Sequence, residues 1–264
     1  LFFLSIFVLG AQAQPRDASE HVVITSKRGK TRVQVDEKGE LQVNVSPGDA
    51  RKFKTAGMVR YSDFGARGDG KTDDINAIAA THAFANQKRL SVRADDEATY
   101  YIGGEERTAV IRTDTDFGTA AFIIDDTRVQ NRNAPVFTVS SGLLPFTPGS
   151  ISSLKRNQEK INATLPAPCL ISVTNAHVKR YIRFGLNQNN GSPQTDIFVA
   201  DRDGKVDMHA PIIWDFDQIT GITALPIDRD TLHITGGRFT TIANEAASNY
   251  PYYSRNIAIR RSNV

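Results

Sequence analysis

Between Asn86 and Val264 the chain alternates short β-like runs with turn residues and offers almost no amphipathic helix. "TYYI", "AVIR", "AAFII", "PVFTV", "CLISV", "HVKRYIRF", "DIFVA", "PIIWDF", "ITAL", "TLHIT", "RFTTI" and "NIAIR" follow one another, with one short helix expected around Ile151–Ile161. Strands without intervening helices predict a sandwich, a barrel or a parallel solenoid. One offset favours the solenoid. "LHITGGRF" and "IAIRRSNV" align with Leu232 on Ile257, Ile234 on Ile259 and Phe239 on Val264, a spacing of 25 residues, inside the range of stacked coils.

Upstream the pattern differs. "TRVQV" and "ELQVNV" alternate on either side of "DEKG" and predict a β-hairpin, with "SPGDARKFK" as the linker after it. "MVRYSDFG" predicts a strand. Ile75, Ile78, Ala79 and His82 then recur at helical spacing and predict a helix over Asp73–Asn86. Thr72 is placed to cap it by accepting the N–H of Ile75, with Asp73 and Asp74 at the positive end of its dipole.

The segment joining strand to helix, "DFGARGDGKTDD", contains a complete phosphate-loop pattern, Gly65 to Thr72, and "AAFIIDD" resembles the acidic strand that accompanies such loops. Electrostatics argue against a nucleotide. Asp69 lies inside the loop and Asp73 and Asp74 follow it, so three carboxylates would oppose a triphosphate. The strand-rich remainder also lacks the β-α units of a nucleotide-binding sheet.

The same residues carry a longer match. Phe64, Gly65, Ala66, Gly68, Asp69, Gly70, Thr72, Asp73 and Asp74 fit Phe-Gly-Ala-x-Gly-Asp-Gly-x-Thr-Asp-Asp, between a strand and a helix. This resembles the opening of the pectate-lyase-like right-handed β-helix superfamily over about Val59 to Ile102. The usual Pro-x-Gly turn of the next element is replaced by Ala94 to Ala98. The resemblance implies an all-β fold: a right-handed parallel β-helix over residues 58–264 with an N-terminal capping α-helix, incomplete at its C-terminus. Residues 14–57 form the preceding hairpin region and linker.

It also implies a secreted, bacterial-type protein acting on a polysaccharide, often one containing uronic acids, as a glycosidase or a polysaccharide lyase. Hydrolases of this fold use clustered Asp residues; lyases use a basic residue, often with Ca²⁺. No cofactor is otherwise expected, nor are nucleic acid, nucleotide or a membrane span. The alternative is a non-catalytic glycan-binding or structural β-helix of the tailspike or adhesin kind. The Asn-x-Asp, Asp-Asp, Gly-His-Gly and Arg-x-Lys signatures of polygalacturonases do not occur as a set, so that hydrolase family is not supported directly.

Candidate chemistry comes from Asp-x-Asp pairs at Asp114/Asp116, Asp201/Asp203, Asp215/Asp217 and Asp228/Asp230. Residues two apart on a strand share a face. In "IIWDFDQI" this puts Asp215 and Asp217 together, opposite Trp214 and Phe216. Such a pair suits acid–base work or a share in a Ca²⁺ site; its plain alternative is a solvated strand. His209 and Asp230 complete the candidate set. "VADRDGKVDMH" has a partial calcium-loop look but lacks the chelating Glu, and Asp203-Gly204 reads as a hairpin turn. His177 and His233 read as structural.

The N-terminal stretch predicts export. "LFFLSIFVLGAQAQ" reads as the rear of a signal peptide, residues 1–13, with Ala11-Gln12-Ala13 as the cleavage signature. The expected location is secreted, periplasmic or cell-surface, and natural sequence is expected beyond both ends. Cys169 is the single cysteine, so no internal disulfide forms. The net charge of +3 is uneven: Ser26 to Arg60 holds nine Lys or Arg against four Asp or Glu. That segment reads as a solvated face, with attraction to acidic polymers or a membrane surface as the functional alternative.

Overall fold

A computed structural model describes residues 22–26, 29–35, 41–104, 107–129, 131, 134–149, 151–243 and 255–264. Residues 1–13, expected to be part of a signal peptide, lie outside the described residues. The chain divides into two compact units. Unit 1 comprises the residues up to Thr138 with Ile234–Ala258, and unit 2 comprises Val139–His233 with Ile259–Val264.

Unit 1 begins with an antiparallel sheet of β1 (Val22–Ser26), β2 (Gly29–Val35) and β3 (Leu41–Asn44), in whose register Val33 pairs with Val43 and Val35 with Leu41. The stretch expected to be a linker is instead a helix, α1 (Pro47–Ala56). Ser46 Oγ accepts the N–H of Asp49 at 3.1 Å, Pro47 starts the first turn, and Gly57 ends the helix in the left-handed region. Its buried Phe53 packs on Phe64 and Phe84, with ring centroids 5.9 and 5.7 Å away.

β4 (Met58–Arg60), a 3₁₀ turn (Tyr61–Phe64) and β5 (Asp69–Asp73) lead into α2 (Ile75–Lys88). Short strands follow: β6 (Ser91–Arg93), β7 (Thr99–Ile102), β8 (Ala109–Ile111), β9 (Thr115–Asp116), β10 (Ala121–Asp125) and β11 (Phe137–Ser140). Unit 2 adds β12 (Cys169–Arg180), β13 (Ser192–Ala200) and β14 (Gly221–Pro226). The chain returns through β15 (Ile234–Thr235), β16 (Arg238–Ile242) and β17 (Ile257–Arg260).

Two four-stranded parallel sheets build unit 1, in the orders β15-β9-β6-β4 and β16-β10-β7-β5. A third sheet has the order β17-β11-β8. Register places Phe122 of β10 beside Tyr100 of β7 on one side and Phe239 of β16 on the other. Their rings stack along the sheet at 5.2 and 4.8 Å between centroids, so strand alternation becomes a continuous aromatic core. The helix α2 covers the edge of β8: the Asn86 side chain donates to the Val110 carbonyl at 2.7 Å and accepts the Arg112 N–H at 3.0 Å. A side-chain amide thus takes the place of a neighbouring strand.

Unit 2 overturns the expected all-β, right-handed parallel β-helix over 58–264. β12 lies between β13 and β14 and pairs antiparallel with both. With two α-helices and both parallel and antiparallel sheets among the described residues, the fold is of mixed α/β type, not a single solenoid. Burial alternation has the same period in either sheet type, so it cannot set strand direction. Connection length can: antiparallel neighbours need only a tight turn, whereas parallel ones need a crossover. "CLISV" and the start of "HVKRYIRF" merge into the single long β12, which hairpins directly into β13. The 25-residue offset also fails as a stacking repeat, because β15 and β17 belong to different sheets.

No helix forms at Ile151–Ile161; Leu154 instead bridges Phe216, and Lys160 bridges Lys205. Leu154 and Ile161 join Ile171, Phe198 and Phe216 in the unit 2 core. Asp203-Gly204 does lie in a turn, closed by the Asp201 N–H on the Lys205 carbonyl at 2.9 Å.

Candidate functional site

The loop that reads as a phosphate cradle is filled by the protein's own acids. Asp74 accepts the N–H groups of Arg67 and Gly68 at 2.7 and 3.0 Å. Asp69 accepts those of Lys71 and Thr72 at 2.9 and 2.8 Å, and the Thr72 hydroxyl at 2.9 Å. Asp73 accepts those of Ile75 and Gly103 at 3.1 and 3.0 Å. The backbone donors that would face an anion in a phosphate loop are therefore already engaged.

The helix cap differs from the expected one. Asp74, not Thr72, occupies the N-cap position, and Asp73 accepts the Ile75 N–H. Thr72 turns back to Asp69, because a short side chain bonds the nearest carboxylate its turn presents. The N–H groups of Thr72 and Lys71 hold Asp69 down at about 2. Asp74 is raised by burial, against the pull of its two N–H donors.

Where β5, β7 and β10 end, these carboxylates meet other chemistry. The Tyr101 hydroxyl on β7 donates to Asp125 Oδ2 on β10 at 2.6 Å. Asp125 Oδ1 accepts the Thr127 hydroxyl at 2.6 Å and its N–H at 3.0 Å. The Thr127 and Tyr101 hydroxyls hold the Asp125 carboxyl below the usual carboxylate range, so it stays ionised. The reciprocal bond to Asp125 raises the Tyr101 phenol, which keeps its proton. Gly103 separates this pair from Asp73. A Cβ there would lie 2.9 Å from Asp73 Oδ2 and 3.0 Å from Tyr101 Cε1. Arg128 is exposed; its charge favours ionisation of both Asp125 and Tyr101. Tyr101 and Asp125 are half-buried and Asp73 is exposed, so a carboxylate, a protonated phenol, a second carboxylate and a guanidinium share one accessible sheet end.

The sequence-predicted residues belong to unit 2, whereas this cluster belongs to unit 1. Asp215 and Asp217 are both exposed, with Phe216 fully buried and Trp214 packed on the core beside it. They lie in an irregular segment bridged to Leu154, not in a strand. Asp215 Oδ1 accepts the Arg156 N–H at 2.8 Å, and Asp217 Oδ1 accepts Lys155 Nζ at 2.6 Å. His209 is almost wholly exposed, 3.0 Å from Asp207 through Nδ1. Asp230 is exposed, and its backbone carbonyl accepts Arg261 at 2.7 Å. Among the described residues no hydrogen bond or ion pair joins these four. Of the other pairs, Asp116 accepts the Gly118 N–H at 2.9 Å and Asp228 the Ser141 hydroxyl at 2.8 Å, both turn or linker contacts.

Calcium takes six to eight oxygen ligands. Among the described residues no group of three or more His, Cys, Asp or Glu is arranged to hold a metal ion. Asp215 and Asp217 already bond nitrogen donors, and no step is assigned to calcium.

Sequence reasoning missed Tyr101 and Asp125 because "TYYI" and "AAFIIDD" read only as strands. The available signal was a polar residue placed near or at the end of each apolar run. Among the described residues no helix is long and apolar enough to cross a membrane. No protein-family model matches the chain, and no curated protein sequence matches it.

Proposed function

We propose that this chain belongs to an exported carbohydrate-active protein that acts on an acidic polysaccharide, as a glycosidase or a lyase, as its resemblance to the pectate-lyase-like superfamily implies. The observation that carries the proposal is the Asp73–Tyr101–Asp125–Arg128 sheet end. Alternating carboxylate and hydroxyl groups match the donors and acceptors of sugar hydroxyls, and an exposed guanidinium matches a uronate carboxylate. In this reading Asp125, held ionised, is the proton acceptor. The Tyr101 oxygen, its proton already given to the hydrogen bond with Asp125, accepts a hydrogen bond from a sugar hydroxyl, and Arg128 orients the uronate.

The test uses the full chain on uronic-acid and neutral polysaccharides, following reducing ends and unsaturated-uronate absorbance. Asp125→Asn should lower turnover by about 100-fold or more, the usual contribution of a positioned base, and Tyr101→Phe should weaken substrate binding. If those variants keep normal turnover while Asp215→Asn or Asp217→Asn loses it, the site is in unit 2 instead. Neither binding nor turnover on any polysaccharide would end the proposal.

A glycan-binding role without turnover is the second reading. It draws support from the engagement of the candidate acids: Asp125 accepts Tyr101 and Thr127, Asp215 accepts the Arg156 N–H and Asp217 accepts Lys155, an arrangement that suits holding a ligand more than moving a proton. Binding without turnover on the same panel selects it.

A further inference from the structure

The hairpin joining β12 to β13 ends in a tip, residues 181–191, that leaves large apolar side chains in water. Phe184 is 89% exposed and Leu186 is 96% exposed, with Tyr181 and Ile182 beside them. The tip is an ordered turn. The Asn189 N–H donates to the Arg183 carbonyl at 3.3 Å and the Gln188 N–H to the Gly185 carbonyl at 3.0 Å. At its base Arg180 lies over the Trp214 ring, 4.2 Å from the centroid, and donates twice to Gln194 Oε1 at 2.9 and 2.7 Å.

Every charged residue of the chain segment 160–195 is cationic; at the hairpin base the exposed Asp215 adjoins Gln194, whose side-chain amide donates to the Asp215 backbone carbonyl at 2.8 Å. Lys179 and Arg183 are exposed, and no Asp or Glu occurs between Glu159 and Asp196. Exposed apolar side chains gathered on one projection mark an interaction surface, and flanking cations select an anionic partner.

We propose that this tip docks on an anionic lipid surface. Phe184 and Leu186 enter the boundary between headgroups and acyl chains, and Lys179 and Arg183 face the anionic headgroups. A turn at a hairpin end buries its side chains most readily in a deformable phase. A second copy of the chain would bring Lys179 and Arg183 against like charges. A polysaccharide would gain from the rings of Tyr181 and Phe184 but not from the aliphatic Ile182 and Leu186.

The experiment is flotation of the full chain with vesicles of phosphatidylcholine alone or with phosphatidylserine. Binding to the phosphatidylserine vesicles is expected, weakening as salt rises. Phe184→Ser with Leu186→Ser should weaken it by about 100-fold or more, from the loss of two buried apolar side chains. Lys179→Glu with Arg183→Glu should weaken it by about 10-fold or more. All four side chains are exposed, so circular dichroism and the melting temperature should match wild type, which separates lost docking from lost folding. Absence of vesicle binding, or binding unchanged in Phe184→Ser/Leu186→Ser, overturns the proposal. So does self-association by ultracentrifugation, or binding to an acidic polysaccharide, that the same variant abolishes while vesicles are ignored.

Discussion

Replacing both Tyr61 and His82 by phenylalanine should remove an acid-sensitive element from the core of unit 1. Both residues are fully buried, and Tyr61 Oη lies 2.8 Å from His82 Nε2. The other ring nitrogen, Nδ1, has no hydrogen-bond partner among the described residues. Burial disfavours the imidazolium and lowers the histidine from 6.5 to about 3. Above the unfolded value the ring is neutral in both states and folding is unaffected by its titration. Below it the unfolded chain takes up a proton that the folded chain refuses, so stability falls as pH drops from about 6.5 toward about 3. The loss attributable to this one group is about 2 kcal/mol at about pH 5 and about 5 kcal/mol when the window is crossed.

The assay is urea dependence of α2 amide hydrogen exchange at neutral and mildly acidic pH. Trp214, the single tryptophan, is in unit 2 and reports that unit separately. Wild type should lose about 2 kcal/mol more than Tyr61→Phe/His82→Phe between about pH 7 and pH 5. His82→Phe alone should be the less stable variant at neutral pH, by about 1–3 kcal/mol, because it strands a buried phenol. An imidazole that titrates near its ordinary value by NMR, or equal acid losses in wild type and the double variant, would refute the reasoning.

Three further outcomes follow from the same contacts. Lys71→Ala should leave stability nearly unchanged and no ATP should bind, whereas Gly70→Val should cost about 1–2 kcal/mol or more. Gly70 has φ +70° and a Cβ would meet Thr99 Cγ2 at 3.3 Å; saturable ATP binding in calorimetry, lost in Lys71→Ala, would contradict this. Gly103→Ala should lower the melting temperature by the equivalent of about 1–3 kcal/mol, since its methyl wedges between Asp73 and Tyr101; an unchanged melt would mean the sheet end is slack. Asp126→Asn removes the carboxylate that lies 2.8 Å from the buried Arg255 guanidinium, and should destabilise by about 3–5 kcal/mol. Chemical denaturation indistinguishable from wild type would show that the pair contributes nothing net.

Local structure was legible where a single segment carries its own cause. Ile75, Ile78, Ala79 and His82 mark one face of α2, and all four are buried. The signal for α1 was equally local, Ser46 before Pro47 with Asp49 three residues on, though the Pro-Gly pair made it read as a linker. The candidate site was not legible in the same way. Tyr101 and Asp125 are separated by 24 residues and meet because β7 and β10 lie side by side in parallel register.

The sequence by itself therefore determined which residues of α2 and of many strands turn inward and where those elements lie, because these depend on periods of 3.6 and 2. Tertiary structure alone decided which strands pair and in which direction. It turned one half of the strand series into parallel sheets and β12–β14 into an antiparallel one. It also decided that Asp69, Asp73 and Asp74 serve as acceptors for their own backbone. Pairing and hydrogen-bond satisfaction are long-range: each strand's alternation fits several neighbours, and only the packed core and the connections between strands select one.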